Sequence, residues 1–318
     1  MINIRFLTNS ILAAAIAGSF FSCTPETTVE YGKGNLTPEL RARIDSITSL
    51  LEENPDDKNL FFLRGKARFQ AGLYEPAELD FLKSIQLGES PAYNIPPDEY
   101  ADFIGPDYEF LGHTRFEMGK SAGAYEAFTS CIRLGFDTSN MYVHRSRVRA
   151  LERKFREAIV ETDSSILFDS ASAFAYSARG FYYDNLSEPT KALEDFNRSL
   201  SLDPSDARVW SNRGYCYLKM KNLEQAEQDL TKSLSLEPGF PGALIYRGML
   251  YLEKENYQSA HDDFDEVLKR DESDPRIFYF RGLCRIKLEM LNEGCTDLKK
   301  AADAGDLLAP KLYRQECL

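Results

Sequence analysis

One spacing constrains this chain more than any other feature. Gly112, Gly180, Gly214, Gly248 and Gly282 fall in a single 34-residue register, with Ser146 in the slot between the first two and Gly65 displaced by 13 residues. Twelve positions after each comes a small residue: Ala77, Ala124, Ala158, Ala192, Ala226, Ala260 and Gly294. Four positions further stand Phe81, Phe128, Thr162, Phe196, Leu230, Phe264 and Leu298, most of them bulky. Small residues at a fixed separation let two helices approach closely, and bulky neighbours fill the space beside the contact. Pro204 and Pro238 close two of the units, and Pro55 closes an incomplete one. A period of this length marks a stacked array, because one such unit cannot bury its apolar face alone.

The unit from Ala207 to Phe240 supplies Trp210, Gly214, Tyr217, Ala226, Leu230 and Pro238. It resembles the tetratricopeptide repeat pattern, Trp-x2-Leu-Gly-x2-Tyr, then Ala-x3-Phe, then Pro. The resemblance covers about residues 58 to 305 as seven units, with an N-terminal helix in 37–57 and a C-terminal capping helix in 306–318. It implies an all-α solenoid, a right-handed superhelix of antiparallel helix pairs in which the first helix of each pair, helix A, lines a concave groove. Extra material near 89–104, with Pro91, Pro96 and Pro97, predicts an ordered protrusion or a short extra helix between the first two units. A plain surface insertion and a lid over the groove are both consistent with it.

The chain departs from the family pattern by placing arginine where leucine is preferred before the glycine. Arg64, Arg145, Arg179, Arg213, Arg247 and Arg281 take that slot, and only Leu111 follows the rule. Sixteen residues on stand Asp80, Glu161, Asp195, Asp229, Asp263 and Asp297, one acid for each arginine, whereas the unit with Leu111 has Ala127. A guanidinium near a helix crossing needs acceptors, since leaving it unpaired costs several kcal/mol. The six pairs are therefore expected to be Arg–carboxylate bridges between helices A and B.

By the family's register, the inward positions of helix A hold Phe62, Lys66, Phe69, Glu109, His113, Phe116, Arg147, Phe174, Phe181, Arg208, Tyr215, Arg276 and Tyr279. That is an aromatic lining with scattered charges. The branch of the family that clamps a terminal carboxylate uses Lys at the fifth and Asn at the ninth position. Here the fifth positions read Phe62, Glu109, Val143, Ser177, Ser211, Ile245 and Tyr279, and no ninth position is Asn, so that clamp is not expected.

Chemistry is thin. His113, His144 and His261 lie far apart in the register, with no Cys or carboxylate at metal-ligand spacing, and read as surface or groove side chains. No phosphate loop or nucleophile elbow is present, so neither catalysis nor a cofactor or metal is expected. With 38 Lys+Arg against 50 Asp+Glu the net charge is −12, which repels nucleic acid.

Residues 1–22 read as a signal peptide: Arg5 precedes the apolar run "ILAAAIAGSFF", which is too short for the roughly 20 residues of a spanning helix. Cys23 follows "FFS", a relaxed lipobox, and the polar stretch 23–36 would serve as a lipidated tether. Cleavage after the alanine-rich segment, leaving Cys23 as a plain residue, is the other reading. Of the remaining cysteines, Cys131, Cys216 and Cys284 read as packed thiols, while Cys295 on the last helix B and Cys317 on the terminal helix could meet in a bridge or stay as free thiols with the helix held by packing alone. The expectation is a lipoprotein anchored in the bacterial envelope, preferably in the outer membrane, facing the periplasm or the cell surface. It would touch the membrane only through its lipid and hold a protein or peptide in its groove. A glycan or small molecule on the aromatic groove is the alternative.

Overall fold

The computed structural model describes residues 36–318, so the expected signal segment and Cys23 lie outside the described residues. Those described are all-α, and no strand occurs among them. They fall into two compact units, one ending at Ser187 and the other running from Glu188 to Leu318.

The first unit contains α1 (Pro38–Glu53), α2 (Lys58–Gln70), α3 (Tyr74–Gly88), a 3-10 turn (Pro91–Tyr93), α4 (Tyr100–Glu117), α5 (Ser121–Leu134), α6 (Thr138–Leu151), α7 (Phe155–Phe168) and α8 (Ala173–Asn185). Here α2 packs on α3, α4 on α5 and α6 on α7, and each pair also packs on the next. The second unit contains α9 (Pro189–Leu202), α10 (Ala207–Lys219), α11 (Leu223–Leu236), α12 (Pro241–Glu253), α13 (Tyr257–Leu268), α14 (Pro275–Lys287), α15 (Leu291–Asp303) and α16 (Ala309–Glu316). Within it α10–α11, α12–α13 and α14–α15 form the pairs, and α16 packs on α15.

Local chemistry sets the helix ends. Asp57, Ser172, Asp206 and Asp274 sit at N-caps and accept N–H bonds from the first turn, which otherwise has no intrahelical partner. Pro38, Pro189, Pro241 and Pro275 open helices where a missing N–H costs nothing. Every A-to-B turn closes on one left-handed residue: Gly72, Gly119, Arg153, Ser187, Lys221, Glu255 or Glu289. The next N–H then reaches back into helix A, as Asn222 does to the Tyr217 carbonyl at 2.9 Å.

Packing explains the small-residue register. A Cβ on Gly214 would lie 2.9 Å from Leu230 and 3.2 Å from the Asp229 Cβ, and one on Gly282 would lie 3.1 Å from the Gly294 carbonyl oxygen. Phe81, Phe128, Phe196, Leu230, Phe264 and Leu298 are all buried, each contributing on the order of 2 kcal/mol.

The extra segment folds back on the first pair. Tyr93 Oη accepts the Lys58 N–H at 3.0 Å and donates to the Asp56 carbonyl, so it satisfies the start of α2. The rest of the segment lengthens α4, which carries Pro106 inside it. Lys58 Nζ meets Asp107 Oδ2 at 2.6 Å and lies 4.5 Å from the Phe103 ring centre. Burial outweighs the neighbouring ammonium and pushes the Asp107 carboxyl above its ordinary range.

Candidate functional site

The arginines are internal. Arg213 Nε and Nη2 donate to Asp229 at 2.7 and 2.8 Å, Arg247 to Asp263 at 2.9 and 2.7 Å, and Arg281 to Asp297 at 2.8 and 2.9 Å. Arg64 grips Asp80 in the same fork, at 3.0 and 2.7 Å. Arg145 reaches Glu161 with one nitrogen at 2.7 Å and also donates to Tyr125 Oη, which itself donates to Glu161 at 2.9 Å. Arg179 and Asp195 belong to different units, and Arg179 Nη1 donates to Asp163 at 2.7 Å. Leu111 and Ala127 are both buried, so an apolar contact replaces the bridge in that pair.

The spacing rule missed the third nitrogen. Nη1 reaches sixteen residues backward, to helix B of the preceding pair: Arg213 to Asn197, Arg281 to Asp265 and Arg179 to Asp163, each at 2.7 Å. Arg64 does the same to Thr48 on α1 at 3.4 Å. One guanidinium thus ties three helices together. Thr48, Asp163, Asn197 and Asp265 stand at that spacing in the sequence and were available to be found. Asp80 and Asp297 each also accept from a second arginine one helical turn on, Arg68 at 2.7 Å and Arg285 at 2.8 Å.

The expected groove positions divide into three groups. Phe69 and Tyr279 are each only 2% exposed and belong to the core, and His113 and Arg147 are buried at 4% and 6%, which corrects the assignment of all four to the lining. Phe69 sits edge-on to Tyr74 and to Phe110 of the next pair, and Tyr279 edge-on to Phe280 on its own helix. Arg208 and Arg276 turn back onto their own N-cap residues, Asp206 at 2.9 Å and Asp274 at 2.6 Å. The half-buried positions remain. In the first unit, Lys66 Nζ lies 5.4 Å from the Phe62 and 4.9 Å from the Phe110 ring centre, and half-buried Phe116 has the buried guanidinium of Arg147 4.9 Å from its ring centre. On α8, Phe174 and Phe181 are half-buried against the cluster that contains Val143, Ala175 and Tyr182. In the second unit, Tyr215 stacks on Tyr246 at 4.2 Å, with Lys219 Nζ 5.0 Å from its ring centre.

The histidines need a second correction. His113 and His144 are not far apart: their ring centres are 4.4 Å from each other, edge to face, and both side chains are buried. They lie 31 residues apart, three short of the period, and the stacking of α4–α5 on α6–α7 brings the two A helices together there. Glu109 Oε1 is 3.8 Å from His113 Nε2, and one donor atom from each of Glu109, His113 and His144 lies within 4.8 Å of the other two. Burial lowers both imidazoles below their ordinary range, His144 well below, with Arg147 adding to the effect. His261 is elsewhere, between Asp262 and Arg285.

The free cysteines among the described residues, Cys131, Cys216 and Cys284, are buried, and burial pushes Cys284 up to about 12. Cys295 and Cys317 form a disulfide, with Cα atoms 5.7 Å apart, that holds α16 on α15.

Three matches to the tetratricopeptide repeat family cover residues 175–206, 207–240 and 247–310. None of the curated proteins matches the chain. Among solved structures it is similar to a tetratricopeptide repeat protein from Parabacteroides merdae, at 17% identity and a TM-score of 0.59, covering 82% of this chain and 99% of that one. It is also similar to pilF of Pseudomonas aeruginosa, at 18% identity and a TM-score of 0.61, covering 69% and 99%. Yeast Tom70 aligns at 15% identity and a TM-score of 0.62, covering 98% and 72%. At such identities the likeness is one of fold.

Proposed function

Because the chain belongs to the tetratricopeptide repeat family, we propose that it is a non-catalytic scaffold that holds a protein or peptide segment on the face made by its A helices. The observation that carries this reading is the set of half-buried rings in the first unit: Phe62 and Phe110 beneath Lys66, and Phe116 beside the buried Arg147. Rings of this kind bury a partner's apolar side chains at small entropic cost, and Lys66 favours an acidic residue beside them. Arg213 takes no part, since its donors are committed between helices.

The proposal extends to location. Residues 1–22 direct export, Cys23 carries the lipid, and the chain acts as an adaptor tethered to a membrane of a bacterial envelope. On this reading the acyl chains hold the chain at the membrane; no described helix is long and apolar enough to cross one.

A photo-crosslinking residue placed at Phe116, on the A face, and at Leu79, 68% exposed on a B helix, tests the binding face in the native organism. Capture of one defined protein from Phe116 but not from Leu79 is expected. Equal capture from both, or capture from Leu79 alone, overturns the assignment of the face. Stabilisation of the purified chain by glycans, lost on Phe116→Ser, would move the reading to a sugar ligand.

A further inference from the structure

We propose that Glu109, His113 and His144 form a binding site for one transition-metal ion of the zinc class. Glu109 and His113 are one turn apart on α4, which puts both side chains on the same face of that helix. His144 comes from α6, in the next helix pair, and completes a set of three donors within 4.8 Å of one another.

The donor chemistry selects the ion. Two imidazoles and one carboxylate suit Zn2+, Co2+, Ni2+ or Fe2+, whereas Ca2+ and Mg2+ require a shell of oxygens. Zinc–ligand bonds of about 2.0–2.2 Å bring tetrahedral donors to roughly 3.4 Å from one another, so the three would close by up to about 1.5 Å on binding. Three protein ligands leave one position for water.

The surroundings hold the imidazoles in place. Phe128 stacks on His144 at 5.2 Å and meets His113 edge-on at the same distance, and Phe174 lies 5.9 Å from His144. His113 and His144 are 4% and 2% exposed. Glu109 keeps 22% of its side chain exposed, which gives an ion its approach. Arg147 works against the site: its Nη1 stands 3.5 Å from His144 Nδ1 and its charge repels a cation. Arg147 therefore competes with the ion for His144.

The test uses the full chain without an affinity tag, stripped with a chelator and titrated with Zn2+ by calorimetry and with Co2+ by visible absorption. One ion per chain is expected, with affinity falling about tenfold or more in Glu109→Gln, His113→Gln and His144→Gln. His261→Gln should leave binding unchanged, and Arg147→Gln should tighten it. Absence of one-to-one binding by the wild-type chain overturns the proposal. So does binding that survives His113→Gln with His144→Gln, or that falls equally in His261→Gln. Circular dichroism checks that the variants fold. If they do not, X-ray absorption of the wild-type Co2+ complex decides: two imidazole ligands support the site, and fewer than two overturn it.

Discussion

Replacing Arg213 by Leu removes a fork to Asp229 and a third bond to Asn197, leaving a carboxylate that is only 6% exposed without its cation. Breaking a buried ion pair from one side costs about 3–5 kcal/mol. The 16% exposure of the Arg213 side chain puts this one near the lower end, about 3 kcal/mol. Arg213→Leu with Asp229→Ala recreates the apolar pair that Leu111 and Ala127 already form in this chain. It removes both charges together and should lose only about 1 kcal/mol, mostly the bond to Asn197. The coupling between the two sites is then roughly 2 kcal/mol. Urea unfolding followed by circular dichroism and by the fluorescence of Trp210, the sole tryptophan, measures it. The indole lies 4.8 Å from the guanidinium and donates to the Pro204 carbonyl at 2.8 Å, so it reports on the same helix. A coupling below about 0.5 kcal/mol would refute the staple argument.

Lys221 holds a left-handed conformation at φ 60°, so Lys221→Gly should be neutral or stabilising by up to about 1 kcal/mol, and Lys221→Val destabilising by roughly 1–2 kcal/mol, in the same unfolding assay. Lys58 and Asp107 are 3% and 1% exposed; Lys58→Met alone should cost about 3 kcal/mol or more, and Lys58→Met with Asp107→Leu should return close to wild-type stability. Reducing the Cys295–Cys317 bridge, whose cysteines are 22 residues apart, should lower stability by about 3 kcal/mol on the chain-entropy estimate and expose α16 to protease and to hydrogen exchange. Envelope fractionation should find the wild-type chain in the membrane and Cys23→Ser in the soluble fraction; a soluble wild-type chain would end the lipid-anchor reading.

Within one helix pair, almost everything was legible in the sequence. The glycine and alanine register, the bulky fillers and the acid sixteen residues after each arginine lie on two helices joined by a short turn, so a fixed spacing becomes a fixed contact. The caps at Asp57, Asp206 and Asp274 were equally local. Contacts between neighbouring pairs were not legible, because they depend on the angle and offset at which one pair stacks on the next. That stacking set Phe69 against Phe110 of the next pair, although a register alone had turned it toward a ligand. It also sent the third nitrogen of Arg213 backward to Asn197 and set His113 against His144 although they stand three residues off the period. A repeat length fixes which side chains recur on a face. Only the packed array decides which of them still see solvent and which meet across the seam.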